Sequence, residues 1–201
     1  MANGKVFLDI YENNRWEDGG SGIGSAVTYS RKYIDYVKPL IQDKKVLDLG
    51  CGDFRIGTEL YNVAAEYVAV DVVSGLFTVP EGVKFVTADF SVQGVIGQVF
   101  LAHGPFDVVL LKDVLMHWSD EEIVPFATEL ANLSWKTLLV ANKYKYVRKP
   151  EYNGRPRNPR ANKYSMSPLP CDHETLSALG LTPVLYYPSK SCVQLARADK
   201  A

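Results

Sequence analysis

The run Val46-Leu47-Asp48-Leu49-Gly50-Cys51-Gly52-Asp53 restricts what this 201-residue chain can fold into more than any other stretch. It reads as a short apolar strand, a tight glycine turn and the start of a helix. Gly50 and Gly52 lack a Cβ, so the backbone there can pass close to a ligand. Further short apolar runs at 67–71, 84–87, 106–111 and 138–141 alternate with helical patterns at 54–63, 91–101 and 120–133. The second helical pattern is weak, because Gly94 and Gly97 interrupt it. The third is strong, with Ser119 as cap and Glu122 three positions on. The 106–111 run is fully apolar and predicts a central strand of a parallel sheet. Asp172 is placed to cap a short helix that Gly180 stops. Strands at 181–187 and 191–197 then lie too close in sequence for a parallel crossover. The prediction is an α/β fold: a doubly wound, Rossmann-like, seven-stranded, mostly parallel sheet with a C-terminal antiparallel hairpin. A chain of this length, with 47% hydrophobic residues, suits one domain spanning 1–201.

Two stretches fall outside the alternation. Residues 6–18 mix apolar and polar positions without a clean period, and a glycine-rich segment, 19–24, follows. Ser25 then caps a predicted helix in which Ala26, Tyr29, Tyr33, Tyr36, Val37 and Leu40 share a face, and Pro39 should end or distort it. This leader, about 1–40, reads either as a helix covering the sheet or as a lid, a glycine hinge carrying Tyr29 toward a second substrate. Residues 142–170 hold five prolines and eight basic residues against the single acid Glu151. A loop this long is usually functional or disordered, and its place after the fifth strand puts it at the carboxyl edge of the sheet.

The carboxylates narrow the ligand. Dinucleotide enzymes carry GxGxxG directly after the strand, whereas here Gly57 comes two residues late. Asp48, inside the strand, would repel a pyrophosphate but attract an ammonium and a sulfonium, so electrostatics favour S-adenosylmethionine over NAD. Asp71, with Val72 beside it, is placed to accept ribose hydroxyls. Asp89 offers a carboxylate to the adenine amino group and Phe90 a ring to the base, although Asp71 as a turn cap and Phe90 as core are the plainer readings. Cys51 lies in the turn itself, with no base partner to make it a nucleophile. The three cysteines lack CxxC spacing, which points to a reducing compartment, and nothing has zinc-ligand spacing. Residues 1–7 carry no apolar signal core and no run approaches a membrane span, so a cytoplasmic, membrane-free protein is expected.

With Asp71 and the pattern of the fourth strand, the glycine run resembles class I S-adenosylmethionine-dependent methyltransferases over roughly residues 45–197. The resemblance implies that Asp48, Gly50 and Gly52 hold the methionine part, Asp71 the ribose and Asp89 the adenine. Asn14-Arg15-Trp16, Ser21-Gly22-Ile23-Gly24-Ser25 and Lys112-Asp113-Val114-Leu115-Met116-His117-Trp118 are similar to a narrower group of small methyltransferases. That group's neighbours tailor glycans and are sometimes fused to glycosyltransferases, which implies other domains of a glycan-synthesis enzyme as partners. Lys112 departs from the group, which usually has arginine there.

Methyl transfer to a hydroxyl needs orientation and a proton acceptor. If the turn after the fourth strand is helical, Asp113 and His117 share a face at i and i+4, and the aspartate can hold the imidazole in the tautomer that takes a proton. His117 is the first choice for general base and Asp113 the orienter or alternate base; the competing reading packs His117 against the next helix. The expected acceptor is a sugar or nucleotide-sugar hydroxyl, with Trp16, Tyr29 and Trp118 as pocket rings and Arg155 and Arg157 as a clamp for phosphate or carboxylate. The basic, tyrosine-studded loop also fits single-stranded RNA, but a net charge of -1 and no second basic region weigh against nucleic acid. A non-catalytic binding module leaves the series Asp48, Asp71, Asp89 and Asp113 without a purpose. Magnesium-assisted transfer has no positive support.

Overall fold

A computed structural model describes residues 2–16, 20–145, 167–188 and 192–200. The elements follow as α1 (Ala2–Glu12), α2 (Val27–Ile41), β1 (Lys45–Leu49), α3 (Gly57–Leu60), β2 (Glu66–Asp71), β3 (Val83–Thr87), α4 (Val95–His103), β4 (Phe106–Lys112), α5 (Asp120–Ala131), β5 (Trp135–Lys145), β6 (Thr182–Pro188) and β7 (Cys192–Asp199). The sheet runs β3-β2-β1-β4-β5-β7-β6. β1 to β5 are parallel, β7 lies antiparallel between β5 and β6, and the predicted hairpin is therefore present.

Each face of the sheet buries its own core. Alternate residues Leu47, Leu49, Val68, Val70, Val109 and Leu111 pack against α4 and α5, around Phe100, Phe126 and Leu130. The intervening positions Val46, Ala69, Val108 and Leu110 pack against α2, through Tyr33, Ile34, Val37 and Ile41. The strands are apolar on both faces because both are covered. The alternation also carries Asp48 and Lys112 to the α2 face.

Where the local structure departs from expectation, a backbone feature explains it. The predicted helix at 54–63 begins only at Gly57, because Phe54 adopts φ 63 and closes the turn. Its ring lies where a Cβ on Gly57 would stand, 2.3 Å from Phe54 Cε2, so the late glycine leaves room for a core aromatic. The helix expected at 91–101 covers Val95–His103, since Gly94 at φ 85 precedes its first turn. α2 starts after Ala26, and the predicted cap Ser25 instead donates to the Ser21 carbonyl at 3.2 Å. Pro39 lies inside its last turn, where the helix ends two residues later. His173, not Asp172, caps a 3-10 helix, Glu174–Leu179, that Gly180 stops at φ 61. The reading of α5 holds: Glu122 accepts from the Ser119 amide at 2.9 Å.

α4 has no capping side chain of its own. Glu129 on α5 supplies one, its carboxylate accepting from the Gly94 and Gly97 amides at 2.9 Å each. Glu129→Ala is therefore expected to cost about 1–2 kcal/mol, the worth of a lost N-terminal cap, measured by urea denaturation. Glu129→Gln should recover part of it.

Candidate cofactor and acceptor site

At the carboxyl end of β1 the Gly50 and Cys51 amides both donate to the Val70 carbonyl, at 2.8 and 3.1 Å. Gly50 and Gly52 then take φ 75 and φ 57, and the chain turns back toward β2. Asp71, at the end of β2, fixes the turn from the other side. One carboxylate oxygen accepts from the Gly52 amide at 2.8 Å and the other from the Val73 amide at 3.0 Å. Burial raises the Asp71 carboxyl above its ordinary range, and these backbone bonds oppose the rise. Asp71 thus does what a turn cap does, and its two oxygens keep lone pairs for hydroxyl donors.

Asp48 sits half-buried on the α2 face, where its carboxylate accepts from Tyr67 Oη at 2.9 Å. Desolvation pushes its pKa up to about 6; the Tyr67 bond and the Lys112 charge work against this, and Asp71 adds to it. Asp89 follows β3 and takes the Ser91 hydroxyl at 2.5 Å. Phe90 is a core residue, 5% exposed, with ring contacts to Trp118 at 5.4 Å and Phe126 at 5.7 Å. Val72 packs against α1: a Cβ on Gly4 would come 3.3 Å from its Cγ2.

The chain after β4 does not form the α-helical turn on which the Asp113 and His117 pairing was premised. Asp113 adopts φ 58, its amide donates to the Ala141 carbonyl at 2.8 Å, and its carboxylate pairs with Lys112. A 3-10 turn, Leu115–His117, follows. His117 is 6% exposed and faces the Trp16 ring, 5.0 Å between centroids. The Trp16 indole N–H is buried with no hydrogen-bond partner among the described residues.

A family model described as a methyltransferase domain matches residues 47–133, the stretch from β1 through α5. Among solved structures, a magnesium protoporphyrin IX methyltransferase from Synechocystis PCC 6803 with bound S-adenosylhomocysteine aligns with TM-score 0.66 at 16% identity, over 99% of this chain and 100% of that one. A SAM-dependent methyltransferase from Anabaena variabilis ATCC 29413 aligns with TM-score 0.74 at 9% identity, over 100% and 96%. The fold is that of the class I S-adenosylmethionine-dependent methyltransferases. A third structure with this fold, the 1,6-didemethyltoxoflavin-N1-methyltransferase of Burkholderia thailandensis, aligns with TM-score 0.64 at 18% identity, over 99% and 87%. No curated protein matches the sequence.

Within this methyltransferase fold the leader reaches the glycine turn, though not by the predicted route. α2 packs flat on the sheet, and Tyr29 on it is 45% exposed. The segment just before α2 makes the approach. The Ser21 amide donates to Asp53 at 2.9 Å, the Asp53 amide donates back to Ser21 Oγ at 2.9 Å, and Tyr11 Oη lies 3.1 Å from the same hydroxyl. Arg55 pairs with Asp53 at 3.0 Å. Burial, with Asp71 nearby, holds the Tyr11 phenol well above its ordinary range, so it stays a neutral hydroxyl. The sequence reading missed Tyr11, Ser21, Asp53 and Lys112 as site residues. Ser21, Asp53 and Lys112 lie in the motifs quoted above, but nothing local shows that a serine will meet an aspartate 32 positions away.

Trp118 was expected to line the acceptor pocket. It is 3% exposed and belongs to the core with Phe90 and Phe126. Burial pushes the Cys51 thiol up, as desolvation and the surrounding carboxylates demand, which disfavours a thiolate. Arg155, Arg157 and most of the basic loop lie outside the described residues. Among the described residues no helix is long and apolar enough to cross a membrane. Among them, too, no group of three or more His, Cys, Asp or Glu side chains could hold a metal ion.

Proposed function

We propose that the protein transfers a methyl group from S-adenosylmethionine to a hydroxyl of a sugar or glycan. The observation that carries the donor half is the row of carboxylates at successive strand ends of a methyltransferase fold. Asp48 lies in β1 just before the glycine turn, Asp71 ends β2 and bonds the Gly52 amide, and Asp89 follows β3. The donor set fits: an ionised Asp48 for the α-ammonium, the remaining lone pairs of Asp71 for ribose hydroxyls and Asp89 for the adenine amino group. Bound there, the donor supplies an electrophilic methyl on sulfur. The chain's part is to orient the acceptor along the S–CH3 axis, to exclude water and to take the proton. His117 would take the proton of the acceptor hydroxyl. Asp113, paired with Lys112, is the alternate base. Trp16 and Tyr29 would frame the acceptor, and Arg155 with Arg157 would hold a phosphate or carboxylate on it.

A second reading has an observation of its own. Phe7 and Tyr11 meet the Trp16 ring edge-on at 5.9 and 5.8 Å, and Trp16 covers His117. That aromatic wall suits a flat heterocycle as well as a pyranose face, and one structure with the same fold is a 1,6-didemethyltoxoflavin-N1-methyltransferase with bound 1,6-didemethyltoxoflavin. A labelled-methyl assay over glycans, nucleotide sugars, heterocyclic metabolites and RNA separates the readings. Transfer only to nitrogen heterocycles would remove the sugar assignment.

Asp48 also sets a pH dependence. Its carboxyl titrates at about 6, and the donor's ammonium needs the ionised form. Donor affinity should therefore fall on acidification through pH 6, approaching about tenfold per unit below it. Asp48→Asn should bind weakly with that slope removed. The same raised pKa acts oppositely on the unliganded fold. Between the ordinary carboxyl pKa and about 6 the folded state holds a proton that the unfolded state has lost, so this contribution to stability declines as pH rises. Calorimetric titrations from pH 5 to 8 with both proteins would check the binding arm.

A further inference from the structure

Lys112 is a largely buried charge beside the donor site that the donor and acceptor roles leave unused. It ends β4 on the α2 face, two positions beyond Leu110, which is in register with Asp48. Its side chain is 9% exposed, and the ammonium stands 5.9 Å from the centroid of the Tyr33 ring. The ammonium donates to the Gly24 carbonyl at 3.0 Å and pairs with Asp113. An ammonium has three N–H donors, so these two bonds leave one. A buried cation with a spare donor carries a cost unless something accepts from it.

A cleft opens beside it. Ser25, Tyr33, Asp48, Cys51, Asp53 and Lys112 are among its lining residues, and Gly50 brings the turn backbone to its edge. The cleft, at the methionine end of the proposed donor site, thus holds two carboxylates and one ammonium: Asp53 is taken up by Arg55 and the Ser21 amide, which leaves half-buried Asp48 and Lys112 facing it. A ligand with a cationic and an anionic group a few ångströms apart would satisfy both. We propose that Lys112 is the carboxylate partner of the donor's amino-acid tail: its remaining N–H takes the α-carboxylate while Asp48 takes the α-ammonium. Arg55 fits the task less well, being more exposed and paired with Asp53. This assignment rests on the donor reading and adds its specificity for an intact methionine moiety.

The plain alternative makes Lys112 a tether that holds Gly24 and neutralises Asp113. The two are separated by removing the carboxylate from the ligand as well as the ammonium from the protein. Lys112→Met is made together with Asp113→Asn, so that no unpaired carboxylate is left behind, and calorimetry is run with three ligands. These are S-adenosylmethionine, its decarboxylated form and 5′-deoxy-5′-methylthioadenosine, which has no amino-acid tail. The double variant should lose about 10- to 100-fold in affinity for S-adenosylmethionine, the worth of a charge-assisted bond. It should bind the other two within about threefold of the Asp113→Asn single variant. Methylthioadenosine binding doubles as the check that the variant is folded. Equal losses for all three ligands, or no loss for any, would overturn the assignment. Parent protein that takes up none of the three would instead sink the donor reading, and this assignment with it.

Discussion

Gly50→Ala is expected to destabilise the fold by about 2–4 kcal/mol, the sum of backbone strain and overpacking. At φ 75 an L side chain is strained, and a Cβ there would come within 2.3 Å of Val114 Cγ2. Val114 cannot yield easily, because β-branched side chains are stiff at χ1. The backbone just before it is pinned by the bond from the Asp113 amide to the Ala141 carbonyl. Relief must therefore come from Gly50 itself, which would pull its amide off Val70 and open the turn on which the proposed donor rests. Donor affinity should drop at least about 100-fold, as several ligand contacts are lost together. Gly82→Ala is the control. It has φ 85 with nothing within 4 Å of its Cβ, so it pays strain alone, about 1 kcal/mol. Urea denaturation of both variants measures the difference. Equal costs would mean that the close approach of Val114 to the turn is absent.

The second large effect concerns His117. His117→Gln should lower kcat about 10²- to 10⁴-fold on a hydroxyl acceptor, the usual contribution of a positioned base. Donor affinity should stay near that of the parent, because Asp48, Asp71 and Asp89 are untouched. Asp113→Asn should cost less, because the Asp113 carboxylate is committed to the Lys112 ammonium. Full kcat in His117→Gln would leave the ring as a packing partner of Trp16 and would favour a nitrogen acceptor, which needs no base when it reacts as a neutral amine.

Much of the scaffold was legible because its determinants are local. The strand bounds Lys45–Leu49 came out of the apolar pattern and the following glycine turn, and α5 came out of Ser119, Glu122 and a helical period. The hairpin followed from the few residues between its strands. β5 was read as four residues and runs from Trp135 to Lys145, because pairing with β4 on one edge and β7 on the other sustains polar positions that apolar content alone would exclude. α1 was not foreseen. Its faces are set by what they meet: Gly4 rests on Val72, Ile10 is fully buried and Tyr11 reaches Ser21.

The sequence by itself determined the seven-stranded sheet, the glycine turn and the order of carboxylates along it, since strand alternation, turn chemistry and capping act over a few residues. Tertiary structure alone decided which charges meet. It brought Lys112 to Gly24, 88 positions away, turned Asp113 toward that lysine and laid Trp16 on His117. Such pairings are chosen by the packing of whole faces and by the cost of leaving a buried charge or donor unmatched, and neither is written in any short stretch of the chain.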